Sequence, residues 1–113
     1  MKIIHKNQTK IFRNSKSCTA IDYWTDDKEI NGAVIELTNR YPDKDRVVNL
    51  ECKEMVYTIK GFGRIVIEDK EIKLNEGDLV LINKGEKYFW KGKMTMFTSC
   101  TPAWYPKQHK TVE

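Results

Sequence analysis

Turn-forming clusters recur at intervals of about ten residues in this chain, and the segments between them are short, β-branched and alternating. That punctuation constrains the fold more than any other feature. Asn31-Gly32 precedes Ala33-Val34-Ile35-Glu36-Leu37. Arg64-Ile65-Val66-Ile67-Glu68 runs into Asp69-Lys70, and Glu71-Ile72-Lys73-Leu74 alternates polar with apolar. Asn75-Glu76-Gly77 leads to Asp78-Leu79-Val80-Leu81-Ile82, and Asn83-Lys84-Gly85-Glu86 leads to Tyr88-Phe89-Trp90. Lys91-Gly92-Lys93 reads as one more turn before Met94-Thr95-Met96-Phe97-Thr98. The rhythm predicts an all-β sandwich or barrel.

Arg46 to Lys60 is the one ambiguous stretch. Val48, Cys52, Met55 and Ile59 fit a helical spacing. Val47, Val48, Val56, Tyr57, Thr58 and Ile59 favour a pleated surface instead. Two strands joined by a bend near Glu51-Cys52-Lys53 are therefore expected. Gly61-Phe62-Gly63 reads as a hairpin turn, because G-x-G without a third glycine or a following helix is no nucleotide fingerprint. The segment Thr101-Pro102-Ala103-Trp104-Tyr105-Pro106 carries two prolines and cannot be a central strand. It is expected to pack over a barrel mouth or a neighbouring surface.

At 113 residues the chain suffices for one domain, 1–113, and not for two cores. No window approaches the ~18 apolar residues of a membrane span, and Met1-Lys2-Ile3-Ile4-His5-Lys6 lacks the apolar core of an export signal. A cytoplasmic protein that binds no membrane is expected. The formal charge of +4 comes from scattered lysines with no run of like charge. A nucleic-acid binder concentrates its basic residues on one face, so no nucleic acid is expected as a partner. Cys18, Cys52 and Cys100 are odd in number and widely spaced, which suggests neither a disulfide framework nor a zinc ribbon. Cys52 and Cys100 read as small buried hydrophobes rather than nucleophiles.

The residues from Val47 to Gly92 resemble the two motifs of the cupins, small antiparallel jelly-roll β-barrels. Glu54 followed after six residues by Gly61 fits the second half of the first motif. Gly77, Asn83, Gly85 and Tyr88 fit the frame of the second, and the residues between Gly61 and Gly77 match the spacing of compact bacterial members. Metal-binding cupins place two histidines in an H-x-H before the glutamate and a third in the second motif. Here those positions hold Val47 and Asn49, or Val48 and Leu50, and then Tyr88; Glu54 alone remains of the usual four. The resemblance implies the barrel but not its iron or manganese site. Neither a metal nor another cofactor is expected. A makeshift set of Asn49, Glu51, Glu54 and Tyr88 would offer amide and phenol oxygens, poor ligands for first-row transition metals. His5 and His109, near the two ends, read as structural or exposed.

In the cupin register Glu54, Asn49 and Tyr88 point into the barrel, and alternation carries Val56 and Trp90 to the same face. A small-molecule ligand is the expected partner. Glu54 and Tyr88 are the candidate catalytic pair, and Asn49, Glu51, Val56, Trp90 and Trp104 the candidate ligand contacts, Trp104 as a lid. Trp24 is expected to pack against another element or subunit. The implied activity is small-molecule binding, resembling the sugar-binding and sugar-isomerising cupins. A non-catalytic sensor or interaction module, and a metal-dependent cupin with unusual ligands, stand as alternatives. An open pocket walled by Glu54, Tyr88 and Trp90 favours the first; a barrel filled by Met55, Met94, Met96, Phe89 or Phe97 favours the scaffold. A homodimer is expected, with Ile3-Ile4, Ile11-Phe12 and Ala33 to Leu37 as interface candidates.

Overall fold

A computed structural model describes residues 1–113. Ten strands follow in order: β1 (Lys10–Ser15), β2 (Cys18–Asp22), β3 (Ala33–Leu37), β4 (Arg40–Tyr41), β5 (Arg46–Asn49), β6 (Lys53–Ile67), β7 (Lys70–Leu74), β8 (Leu79–Ile82), β9 (Lys87–Thr101) and β10 (His109–Val112). Every ladder is antiparallel. Two 3₁₀ turns, Lys6–Gln8 and Pro106–Gln108, complete the chain. The architecture is an antiparallel jelly-roll barrel.

Two long strands, β6 and β9, pair along their whole length, from Lys53↔Thr101 to Ile67↔Tyr88. One half of this pair is extended by β8 on one side and by β3, β2 and β1 on the other. The other half is extended by β7 and by β4, β5 and β10. The strand pair therefore belongs to both faces of the barrel and must bend between them.

That bend corrects two of the turns read from sequence. Gly61-Phe62-Gly63 lies inside β6, and Lys91-Gly92-Lys93 lies inside β9. Gly63 and Gly92 are registered partners. A Cβ built on Gly92 would stand 2.5 Å from the Gly63 Cα, and one on Gly63 would stand 2.6 Å from the Lys91 carbonyl oxygen. The glycines serve a close approach of two backbones rather than a chain reversal. A bulge between Thr58 and Lys60 adds to the bend.

The bend at Glu51-Cys52-Lys53 is present between β5 and β6. The Pro-flanked segment is irregular as expected, but the chain then returns as β10 and pairs with β5, which the sequence did not indicate. Ile65, Ile67, Leu74, Val80 and Ile82 are buried on β6, β7 and β8 and belong to the same apolar core as Val56, Tyr88, Trp90 and Met96. Cys18, Cys52 and Cys100 are buried free thiols. Of the expected interface segments, Ala33 to Leu37 is paired on both sides, by β2 and β9, so it has no open edge. Ile11-Phe12 lies on β1, which is an edge, and Ile3-Ile4 precedes any strand. No helix is long and apolar enough to cross a membrane.

Candidate functional site

The barrel is hollow beside this core. A cavity of about 790 Å³ lies between β1–β3, β6, β9 and the segment before β10, within the range of small-ligand sites. Strand alternation builds its walls: Val56 from β6, Met96 from β9 and Ile35 from β3 all face inward. The innermost wall carries Glu54, Tyr88, Trp90 and Thr98. At the rim, Phe12, Trp24 and Tyr105 are exposed, beside Lys10 and Asp22. Lys10 Nζ lies 5.5 Å from the centre of the Trp24 ring. Trp24 borders the cavity and is exposed there. Of the residues that could fill the barrel, Met94 is buried in the core and Phe89 is half-buried, Met96 lines the cavity without filling it, and Met55 and Phe97 are exposed.

Glu54 accepts three hydrogen bonds from side chains. Thr98 Oγ1 donates to Oε2 at 2.6 Å; Asn49 Nδ2 and the Tyr88 hydroxyl donate to Oε1 at 3.0 and 3.2 Å. Asn49 Nδ2 also donates to the Tyr88 oxygen at 3.3 Å. Tyr88 is buried, and desolvation with Glu54 beside it raises its pKa well above the usual phenol value. Its hydroxyl remains a donor. The Tyr88 and Trp90 rings meet edge to face.

Behind this wall the network continues. Asn49 has no exposed surface. Its Oδ1 accepts from Gln108 Nε2 at 3.0 Å and from His109 Nδ1 at 2.8 Å. An amide oxygen can only accept, so Nδ1 carries the proton and Nε2 is left with a lone pair. The Tyr41 hydroxyl donates to that Nε2 at 3.0 Å. Burial pulls the His109 pKa down from 6.5 to about 4, which keeps the ring neutral. Burial raises the Tyr41 pKa above the usual phenol range. Trp104 packs on the His109 ring at 5.4 Å between centroids. Tyr41, His109 and Trp104 all border the cavity. Gln108 Oε1 holds the bend before Glu54 by accepting from the Glu51 and Cys52 amides.

Of the residues singled out by sequence, Glu54, Tyr88, Val56, Trp90 and Trp104 meet at the cavity. Asn49 does not line it but braces Glu54 and Tyr88 from behind. Glu51 is exposed outside the cavity, because the bend it occupies breaks the alternation that turns Glu54 inward. Sequence reasoning missed Thr98, Tyr41, Gln108 and His109. Thr98 shares the even-numbered face of β9 with Tyr88 and Trp90, a signal hidden by reading a turn at Gly92. His109, taken as structural or exposed, is instead part of the cavity wall.

Cupins that bind a metal do so on imidazoles and a carboxylate. The residues present do not fit one: no group of three His, Cys, Asp or Glu side chains converges here. Both Glu54 oxygens already accept hydrogen bonds, and both His109 nitrogens are engaged.

No protein-family model matches the sequence, and no curated protein matches it. Solved structures do. The chain is similar to Streptomyces Pac13, a nucleoside dehydratase determined with uridine, at TM-score 0.89 and 14% identity, over 100% of this chain and 92% of that one. Ectoine synthase from P. lautus matches at TM-score 0.78 and 15% identity, over 100% and 91% of the two chains. KdgF from Halomonas sp. matches at TM-score 0.73 and 7% identity, over 89% and 94%. The chain has the fold of a small single-domain cupin.

Proposed function

We propose that this cupin binds a small polar organic molecule in the cavity and transfers a proton on it without a metal. The observation that carries the reading is the placement of one carboxylate, Glu54, on the innermost wall of an otherwise largely apolar cavity, ringed by Tyr88 and Thr98. Sugars and nucleosides suit such a site: their rings stack on aromatic walls and their hydroxyls meet the few polar groups. Uridine bound to the similar Pac13 supports this class of ligand. Interspersed lysines favour a small molecule over nucleic acid or a membrane surface.

In this reading Glu54 removes a proton from carbon beside a carbonyl, and the protonated Tyr88 hydroxyl turns from Glu54 to donate to the developing enolate oxygen. That half-reaction is common to isomerisation, epimerisation and elimination of water. Asn49 holds both groups in place. A sensor reading is favoured by one observation: Glu54 already accepts three internal hydrogen bonds, an arrangement suited to static recognition.

Ligand-observed NMR with sugars, sugar phosphates, nucleosides and small acids tests binding. A hit lost in Glu54→Gln supports the site, and unchanged affinity in that variant overturns it. Solvent deuterium appearing at the carbon beside the carbonyl of a bound ligand separates proton transfer from sensing.

A further inference from the structure

The strands that wall the cavity carry a second pattern on their outer side. Ile11, Ile21, Val34, Phe97, Tyr57 and Leu79 are registered neighbours, one from each of β1, β2, β3, β9, β6 and β8. Alternation turns them away from the cavity, which takes Ala20, Ile35, Met96 and Val56 from the adjacent positions. The result is an apolar row across six strands without a single charge. Ile11 is 71% exposed, Leu79 54%, Tyr57 44% and Phe97 42%. In the next row Met55 and Leu81, themselves registered, are 46% and 45% exposed. Charge returns beyond these rows, at Lys53 past Met55 and, on the other side, at Glu36 past Val34 and Arg13 past Ile11, which share one register row and carry opposite signs.

These six exposed side chains present roughly 650 Å² to water, above the ~300–600 Å² of a typical monomer's largest apolar patch and near the ~800 Å² per partner of a stable interface. We infer that this face is covered by a second copy of the chain. Sheets cover one another face to face about 10 Å apart. A twofold axis running along the strands between β3 and β9 lays the row on its own reversed copy. Val34 then meets Phe97, Ile21 meets Tyr57, and Ile11 meets Leu79, so a smaller side chain stands opposite a larger or equal one at each place. Because the row is uncharged, two copies of net charge +4 meet there without opposing like charges. The pairing is isologous. It leaves the cavity rim, on the inner side of the same strands, free to admit a ligand.

Sedimentation velocity at tens of micromolar should show one species at twice the 13.3 kDa chain mass. Phe97→Lys and Tyr57→Lys should each weaken the dimer by about 100-fold, as expected for central aromatic anchors. Phe97→Thr and Tyr57→Thr, polar residues at home in strands, should weaken it less while preserving the far-UV spectrum. A wild-type monomer at that concentration overturns the inference, whatever other protein the face attracts. So does a dimer that survives the double Lys variant with its fold intact, or one broken instead by Ile4→Lys.

Discussion

Asn49 and His109 stand opposite each other in the β5–β10 ladder, and their side chains share a hydrogen bond of 2.8 Å from His109 Nδ1 to Asn49 Oδ1. One fully buried amide thereby joins two parts of the cavity wall that are sixty residues apart in sequence. Its nitrogen serves Glu54 and Tyr88; its oxygen serves Gln108 and His109. Such an amide has no spare capacity, and each of its partners relies on it.

Asn49→Leu removes that hub while keeping the volume nearly constant. It leaves Gln108 Nε2 and His109 Nδ1 without their acceptor, the Tyr88 oxygen without its donor, and Glu54 with two of its three donors, Thr98 and Tyr88. Unsatisfied buried polar groups cost ~1–3 kcal/mol apiece, so a loss of about 3 kcal/mol or more is expected. Urea denaturation measures it. A loss below about 1 kcal/mol would show that the network contributes little to stability.

The same residues mark how far the sequence was legible. Strand rhythm identified β3, β7 and β8, because short alternating segments ended at residues that cannot continue a strand. Glu54, Tyr88, Val56 and Trp90 could be placed on one face, because alternation is local and the cupin resemblance supplied the register. Gly63 and Gly92 misled, since a glycine that reverses a chain and one that admits a neighbouring backbone look alike in one dimension. Reading Gly92 as a turn cut β9 in two and hid Thr98. His109 and Gln108 were illegible for a different reason. Their partner lies sixty residues upstream, beyond a Pro-flanked irregular segment, and nothing local announces a pairing of β10 with β5.

Metal removal should leave the protein unchanged. A bound metal stabilises a fold through the free energy of its ligation, and the donor set here does not fit one. Chelator is expected to leave the thermal midpoint where it was, and elemental analysis of protein purified without added metal should give well below one equivalent of iron, manganese, zinc, nickel or copper. A stoichiometric metal whose loss lowers the midpoint would overturn the metal-free reading of Glu54.

Gly92→Ala tests the bend that makes one strand pair serve both barrel faces. The new Cβ meets the Gly63 Cα at 2.5 Å and the Phe62 carbonyl oxygen at 2.7 Å, both backbone atoms that cannot rotate away. Gly92 also sits at φ +149°. The substitution should cost about 3 kcal/mol or more, as overpacking and strained backbone both do. Gly85→Ala makes the comparison: it has a positive φ but nothing within 4 Å of the added carbon, so only the smaller conformational cost remains. Equal denaturation midpoints for the two variants would refute the close-approach account.

His109 gives the fold a pH dependence whose sign follows from its burial. Its ordinary pKa of 6.5 falls to about 4 in the folded protein. Above pH 6.5 the ring is neutral both folded and unfolded, and its stabilising contribution is fully present. Between those two values the unfolded chain takes up a proton that the folded protein refuses, so stability falls as pH falls. The full difference is roughly 3 kcal/mol, reached near pH 4, and less where the half-buried ring still feels solvent. Geometry gives the reason for the refusal: protonation at Nε2 would set an N–H against the Tyr41 hydroxyl hydrogen that now points at it. Tyr41 would have to reverse its bond, and the charge would gain no carboxylate in contact. Denaturation midpoints measured from pH 7.5 to 4.5 should therefore decline more steeply in the wild type than in His109→Gln, which lacks the titrating group but can hydrogen-bond on both sides. Parallel declines in the two proteins would assign the acid sensitivity to other groups and remove His109 from the account.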